Sequence, residues 1–158
     1  MADRKITAIK NKTYEVSQEI AQCAEEVLSK KNLSIEPARI KFLKTYPYIE
    51  KNIAARCTRA NNFVMLFGEV EFVIECSGDL WDSLSLELRE ILLYHELLHI
   101  VCTQNEKSGE WKFSLRQHDV NEFSEIIQEY GIDWLSDVKN IFISSGGFEP
   151  DEITTLTL

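Results

Sequence analysis

Residues 95–99 read HELLH. On a helix, at about 100° per residue, His95 and His99 lie one turn apart and within about 40° of each other, so both ring nitrogens can reach one ion. Glu96 points about 100° further round, beside such an ion and not on it, which is where a general base for a metal-bound water belongs. A catalytic zinc takes three protein ligands and keeps a position open for water. His118, the third histidine of the chain, is the natural third ligand, because the intervening stretch can reverse the chain direction. Glu122, four residues beyond it, competes for that place or supports a ligand from behind. Asp119 is a candidate to orient a ligating imidazole, and Arg116 and Tyr130 are candidates to stabilise charge in a transition state. Cys102 shares the face of the two helical histidines but falls a turn past the ion, and reads as core. The alternative, that His95 and His99 are ordinary interior residues, would leave two imidazoles unpaired among Leu88, Ile91 and Leu92, an expensive arrangement.

These groups need elements to hold them. Residues 83–102 carry apolar side chains nearly all round, as a buried central helix does, and HELLH lies on it. Before it, residues 13–30 show helical spacing of Tyr14, Val16, Ile20, Ala24, Val27 and Leu28. Residues 38–44 and 53–59 alternate with a period of two, and 70–76 alternates best, with Val70, Phe72, Ile74 and Cys76 inward and Glu71 and Glu75 outward. A turn is expected at Ser77, Gly78 and Asp79, and a polar loop over 103–110. Helices are expected over 118–130, stopped by Gly131, and over 133–143. The expected fold is α+β: three strands, the buried HExxH helix, and flanking N- and C-terminal helices. One domain spans 1–143, and 144–158 is expected to be a flexible tail.

Composition sets the outer bounds. With 158 residues, 44% of them hydrophobic, and only 6 Gly and 3 Pro, the chain can bury a core. The net charge of −9, from 26 acids against 17 bases, repels phosphate backbones and anionic lipid, so no direct contact with nucleic acid or membrane is expected. A basic N-terminus without a following apolar run, and no apolar stretch of membrane-spanning length, point to the cytoplasm. The four cysteines form no C-x-x-C pair and read as reduced, mostly buried thiols.

The segments LSLELREILLYHELLHI, RQHDVNEF and EYG, with EVEFVIE and the WD of Trp81 and Asp82 before the central helix, resemble the phage metallopeptidase family, which is related in pattern to the SprT-like zinc proteases. The likeness covers roughly residues 39–131. It implies a zincin fold, with a small mixed sheet of three to four strands packed on the active-site helix, and zinc held by His95, His99 and His118. Glu96 would be the catalytic acid/base, the origin a phage or prophage, and the substrate a phage or host protein or peptide. It also implies that an edge strand beside the active helix, residues 70–76 or a neighbour, pairs with an extended substrate. Two departures limit the transfer. The DNA-associated substrates of the best-known SprT-like proteases do not suit an acidic chain without a cysteine zinc module. The acid that thermolysin-type enzymes place four residues after their ligating glutamate is Ile126 here.

Two other readings compete. In one, zinc is a structural staple of a binding protein, with Glu122 or Cys102 as fourth ligand closing the site. In the other, the chain is an acidic decoy for a host partner, although its acids are spread over helices and do not form one run.

Overall fold

The computed structural model describes residues 5–8, 11–118 and 122–146, the first group as backbone only. Strand β1 (Lys5–Ala8) pairs antiparallel with β2 (Lys12–Val16). Ser17 then divides two preferences: its hydroxyl accepts the Ile20 amide at 3.2 Å and starts helix α1 (Gln18–Lys30). The helix expected over 13–30 therefore begins at 18. Tyr14 and Val16 satisfy a period of two as well as a helical one, and the β-branched Thr13 and Val16 favour the strand that β2 forms.

A 3-10 turn at Pro37–Arg39 leads into β3 (Ile40–Tyr46), and β4 (Ala55–Arg59) follows. A short helix absent from the sequence reading, α2 (Asn62–Gly68), connects β4 to β5 (Phe72–Ser77). The turn expected at 77–79 is instead the start of α3 (Gly78–Ser83), after which Ser85 caps α4 (Leu86–Leu98) by accepting the Leu88 amide. The central helix is thus shorter at both ends than the expected 83–102. It stops at His99 because Ile100, Val101 and Cys102 are claimed by an antiparallel ribbon of β6 (Ile100–Gln104) and β7 (Trp111–Leu115). Helix α5 (Ser124–Tyr130) starts six residues later than expected, and α6 (Asp133–Ser144) ends one residue inside the expected tail. Residues 147–158 of that tail, and Asp119, lie outside the described residues.

The main sheet has five strands in the order β1-β2-β3-β5-β4, one more than the largest number expected. Its central β3/β5 pair is parallel and its other pairs are antiparallel. Helices α1 and α4 lie on one face. There Phe42, Phe72, Ile74 and Cys76 meet Ile20, Ala24, Leu92 and Leu93 in one continuous core that extends to Trp134, Val138 and Phe142. Each large apolar side chain buried in this way contributes about 1.5–3 kcal/mol. Val70, Phe72, Ile74 and Cys76 are buried as the alternation predicts. Glu75, expected outward, does point to the opposite face but is also buried, held by Thr45 and by Arg56 Nε at 2.9 Å.

One buried cation ties the layers together. Lys44 Nζ donates to Glu19 at 2.6 Å and Asp82 at 3.2 Å, and Arg89 meets Glu19 at 2.8 Å while stacking on Trp81. These contacts join α1, α3 and α4 to the sheet beneath the HELLH helix. Among the described residues no helix is long and apolar enough to cross a membrane.

Candidate metal centre

His95 lies in the last turn of α4 and His99 caps it with helical backbone angles, so their one-turn spacing survives the end of the helix. Their ring centroids are 5.1 Å apart. The ribbon of β6 and β7 then doubles the chain back, and His118 arrives on the extended segment that follows. Its Nε2 lies 2.9 Å from Nε2 of His95 and 3.1 Å from Nε2 of His99. Among the described residues these three form the group whose ligand atoms converge, all within 4.8 Å of one another.

The far sides of two rings decide what the near sides present. His95 Nδ1 faces Glu122 Oε1 at 2.5 Å and His99 Nδ1 faces the Arg116 carbonyl at 2.8 Å. Both partners are acceptors, so each Nδ1 carries the proton and donates, which leaves each Nε2 with a bare lone pair. With His118 Nε2 presented to the same point, these nitrogens are the donor set that a metal ion takes, so these residues fit one. Burial also holds the His99 imidazole below its usual pKa, which keeps it in the neutral form a metal needs.

Glu96 is fully buried, and neither of its carboxylate oxygens has a hydrogen-bond partner among the described residues. Desolvation, with the Glu122 charge added, pushes its carboxyl up to about 8 in the absence of a cation. Burial foremost, and the charge of Glu96 after it, raise the pKa of the Cys57 thiol on β4 and the Cys76 thiol on β5. His99 and His118 are partly exposed, so the cluster meets solvent on their side and is closed on the side of His95 and Glu96.

The remaining candidates are placed as follows. Glu122 does not lie on a helix with His118, as the spacing suggested. It sits in the loop before α5, where its Oε1 also accepts the Phe123 amide at 2.7 Å. Arg116 grips the end of α4 three times: its amide donates to His99 O at 2.8 Å, its carbonyl accepts from His99, and its Nε donates to Leu98 O at 2.7 Å. Its guanidinium lies over Phe123 and pairs with Glu125. The Tyr130 hydroxyl is at 2.6 Å from Lys31, in the contact between α1 and α5. Cys102 is on β6, not on the helix, and is half-buried in a recess with Trp111 and Phe113. Glu122 was a candidate from sequence, but its partner His95 was not named, and the backbone clamp of Arg116 was missed. No periodic signal marks either, since both act from irregular segments.

The edge of the sheet is also defined. Strand β5 is paired on both sides and has no edge to offer a substrate, whereas its neighbour β4 is one of the two outermost strands, and the one that contacts α4. Bonds from Ser77 N to Ala54 O and from Ala60 N to Glu71 O set the phase of the ladder. Even-numbered residues of β4 bond β5, and the backbone groups of Ala55, Cys57 and Arg59 point away from the sheet.

A mixed sheet backed by a buried helix, bringing three imidazoles and a buried carboxylate together, defines an α+β protein with a site for a metal ion. The chain belongs to the family described as "Putative phage metallopeptidase", which matches residues 10–142 and so takes in every member of the site. No curated protein and no solved structure matches it significantly.

Proposed function

We propose that the chain is a zinc-dependent metallopeptidase, with a zincin-like domain spanning 1–143, in which His95, His99 and His118 hold the ion and Glu96 moves the proton. The observation that supports it is the set of three Nε2 atoms facing one another, together with a buried carboxylate, next to His95 in the chain, that has no hydrogen-bond partner among the described residues. When bound, zinc supplies a Lewis acid that polarises a carbonyl and lowers the pKa of water toward ~7. Glu96 accepts the proton of the attacking water on a carboxylate oxygen and delivers it to the leaving amine nitrogen. The high proton affinity that burial gives Glu96 suits it to hold that proton between the two transfers. His95 and His99 are kept in the right tautomer by Glu122 and the Arg116 carbonyl, and Asp119 is assigned the same service for His118. The outward backbone groups of Ala55, Cys57 and Arg59 pair with an extended peptide substrate. In this reading the substrate is a phage or host protein or peptide in the cytoplasm of a bacterial host.

A structural zinc would need a fourth protein ligand. Glu122 Oε1 is already given to His95 Nδ1 and Cys102 is in the ribbon recess, so no described residue favours that alternative.

The test is metal content by plasma mass spectrometry, with peptidase assays alongside. The wild type should hold one zinc per chain, and His118→Ala should lose it. Glu96→Gln should keep the zinc while turnover falls at least about 100-fold. A metal-free wild type after reconstitution, or full activity in Glu96→Gln, overturns the assignment.

A further inference from the structure

Helix α5 begins at a residue type that helix starts do not favour. Position 123 is phenylalanine where Ser, Thr, Asp or Asn would accept an amide of the first turn, and no side-chain bond caps the helix there. The ring is fully buried. A side chain that breaks a local rule is held in place for something outside its own element. What Phe123 meets is the candidate centre: its ring centroid lies 5.2 Å from that of His95, 4.9 Å from His99 and 5.1 Å from His118. The three imidazoles are themselves 5.1, 4.7 and 4.7 Å apart. Six nearly equal separations make a tetrahedron of rings, with Phe123 over the middle of the imidazole triangle.

The groups that flank Phe123 are those that hold the Nδ1 atoms. Glu122, the partner of His95 Nδ1, accepts the Phe123 amide at 2.7 Å. Arg116, whose carbonyl takes the His99 Nδ1 proton, lays its guanidinium over the Phe123 ring, 4.4 Å from the centroid. The ring therefore stands behind the imidazoles, on the side away from the converging Nε2 atoms, and the guanidinium charge on it opposes any ion there. A phenyl ring neither ligates a metal nor gives a water the polar partners it would need to lodge between the imidazoles. We infer that Phe123 is a positioning residue of the metal centre: it fixes the three imidazoles as a tripod, keeps water from their rear, and leaves an ion its open position only on the Nε2 side. The inference rests on the three-histidine metal reading, but not on peptide hydrolysis.

The experiment loads wild type, Phe123→Leu and Phe123→Tyr with cobalt(II) and reads the visible spectrum, because four-coordinate cobalt(II) absorbs far more strongly than five- or six-coordinate. Phe42→Leu, the same truncation on the buried face of β3, controls for lost core packing. Zinc affinity by competition with a chromogenic chelator, and the thermal midpoint of the metal-free protein, are measured alongside. Wild type should show the intense four-coordinate bands. In Phe123→Leu these should weaken as water enters from the rear, with zinc affinity at least about tenfold lower. Phe123→Tyr, which keeps the ring, should retain both. Phe42→Leu should lower the midpoint but leave spectrum and affinity at wild-type values. A wild-type spectrum and affinity in Phe123→Leu overturns the positioning role and leaves the ring as core packing. Tighter zinc binding in Phe123→Leu overturns it too, by placing the ring in front of the ion. A wild type that binds neither cobalt nor zinc refutes the metal reading itself, whereas a metal-loaded wild type that cleaves no peptide refutes the peptidase assignment and sustains the role of Phe123.

Discussion

The candidate centre depends on residues that touch no ion. Glu122 is fully buried, its one hydrogen-bonded oxygen is shared between His95 Nδ1 and the Phe123 amide, and so its carboxylate sets both the tautomer of His95 and the entry into α5. Outer partners of this kind are worth 10–100-fold in metal affinity. Glu122→Gln should therefore weaken zinc binding by about that factor while still binding one ion, as measured by competition with a chromogenic chelator. Unchanged affinity would mean that Phe123 packing alone orients His95. The sequence placed Glu122 near the site through its four-residue distance from His118. Its actual role could not be read there, because Glu122 lies before the start of α5 and not within the helix expected from 118.

The short ribbon of β6 and β7 is what makes a three-histidine site from a two-histidine helix. It reverses the chain after His99 and returns it at Arg116, whose amide, carbonyl and side chain all hold the last turn of α4. Arg116→Ala keeps the two backbone bonds but removes the one to Leu98 O, the Glu125 pair and the stacking on Phe123. A loss of about 1–2 kcal/mol is expected, since one charge-assisted bond is removed and the exposed pair adds little. Urea unfolding should show this as a lower midpoint with an unchanged slope, and an unaltered midpoint would deny the clamp. At the same scale, the ends of α4 illustrate how tertiary pairing overrides pattern. Ile100 and Cys102 continue the apolar helical spacing, yet they face Leu115 and Phe113 across a ladder.

Across the whole molecule, the core under the sheet and the metal site share α4, so holding the ion and holding the fold are coupled. Ligand that binds only the folded state adds stability in proportion to the logarithm of its concentration over Kd, about 4 kcal/mol at a thousandfold excess. Removing zinc with EDTA should lower the calorimetric midpoint by several degrees, and zinc should restore it where magnesium does not. An unchanged midpoint would separate the centre from the fold. Glu19, Glu71, Glu75, Glu90 and Glu129 all meet lysines or arginines, so these five of the 26 acids have a structural role, and the net charge of −9 comes from others.

Local sequence determined those features that arise within one turn or one strand. The joint direction of His95 and His99 follows from helical geometry, the inward set of 70–76 from the pleat, and the start of α1 from what a serine hydroxyl does at a helix end, although the mixed pattern of 13–16 concealed that boundary. The arrival of His118, the grip of Glu122 on His95, the clamp of Arg116, the free edge of β4 and the place of Phe123 against the three histidines were decided only by the tertiary structure. Each depends on which segments close together through long loops. That is settled by burying the common core, and no periodicity in the chain records it.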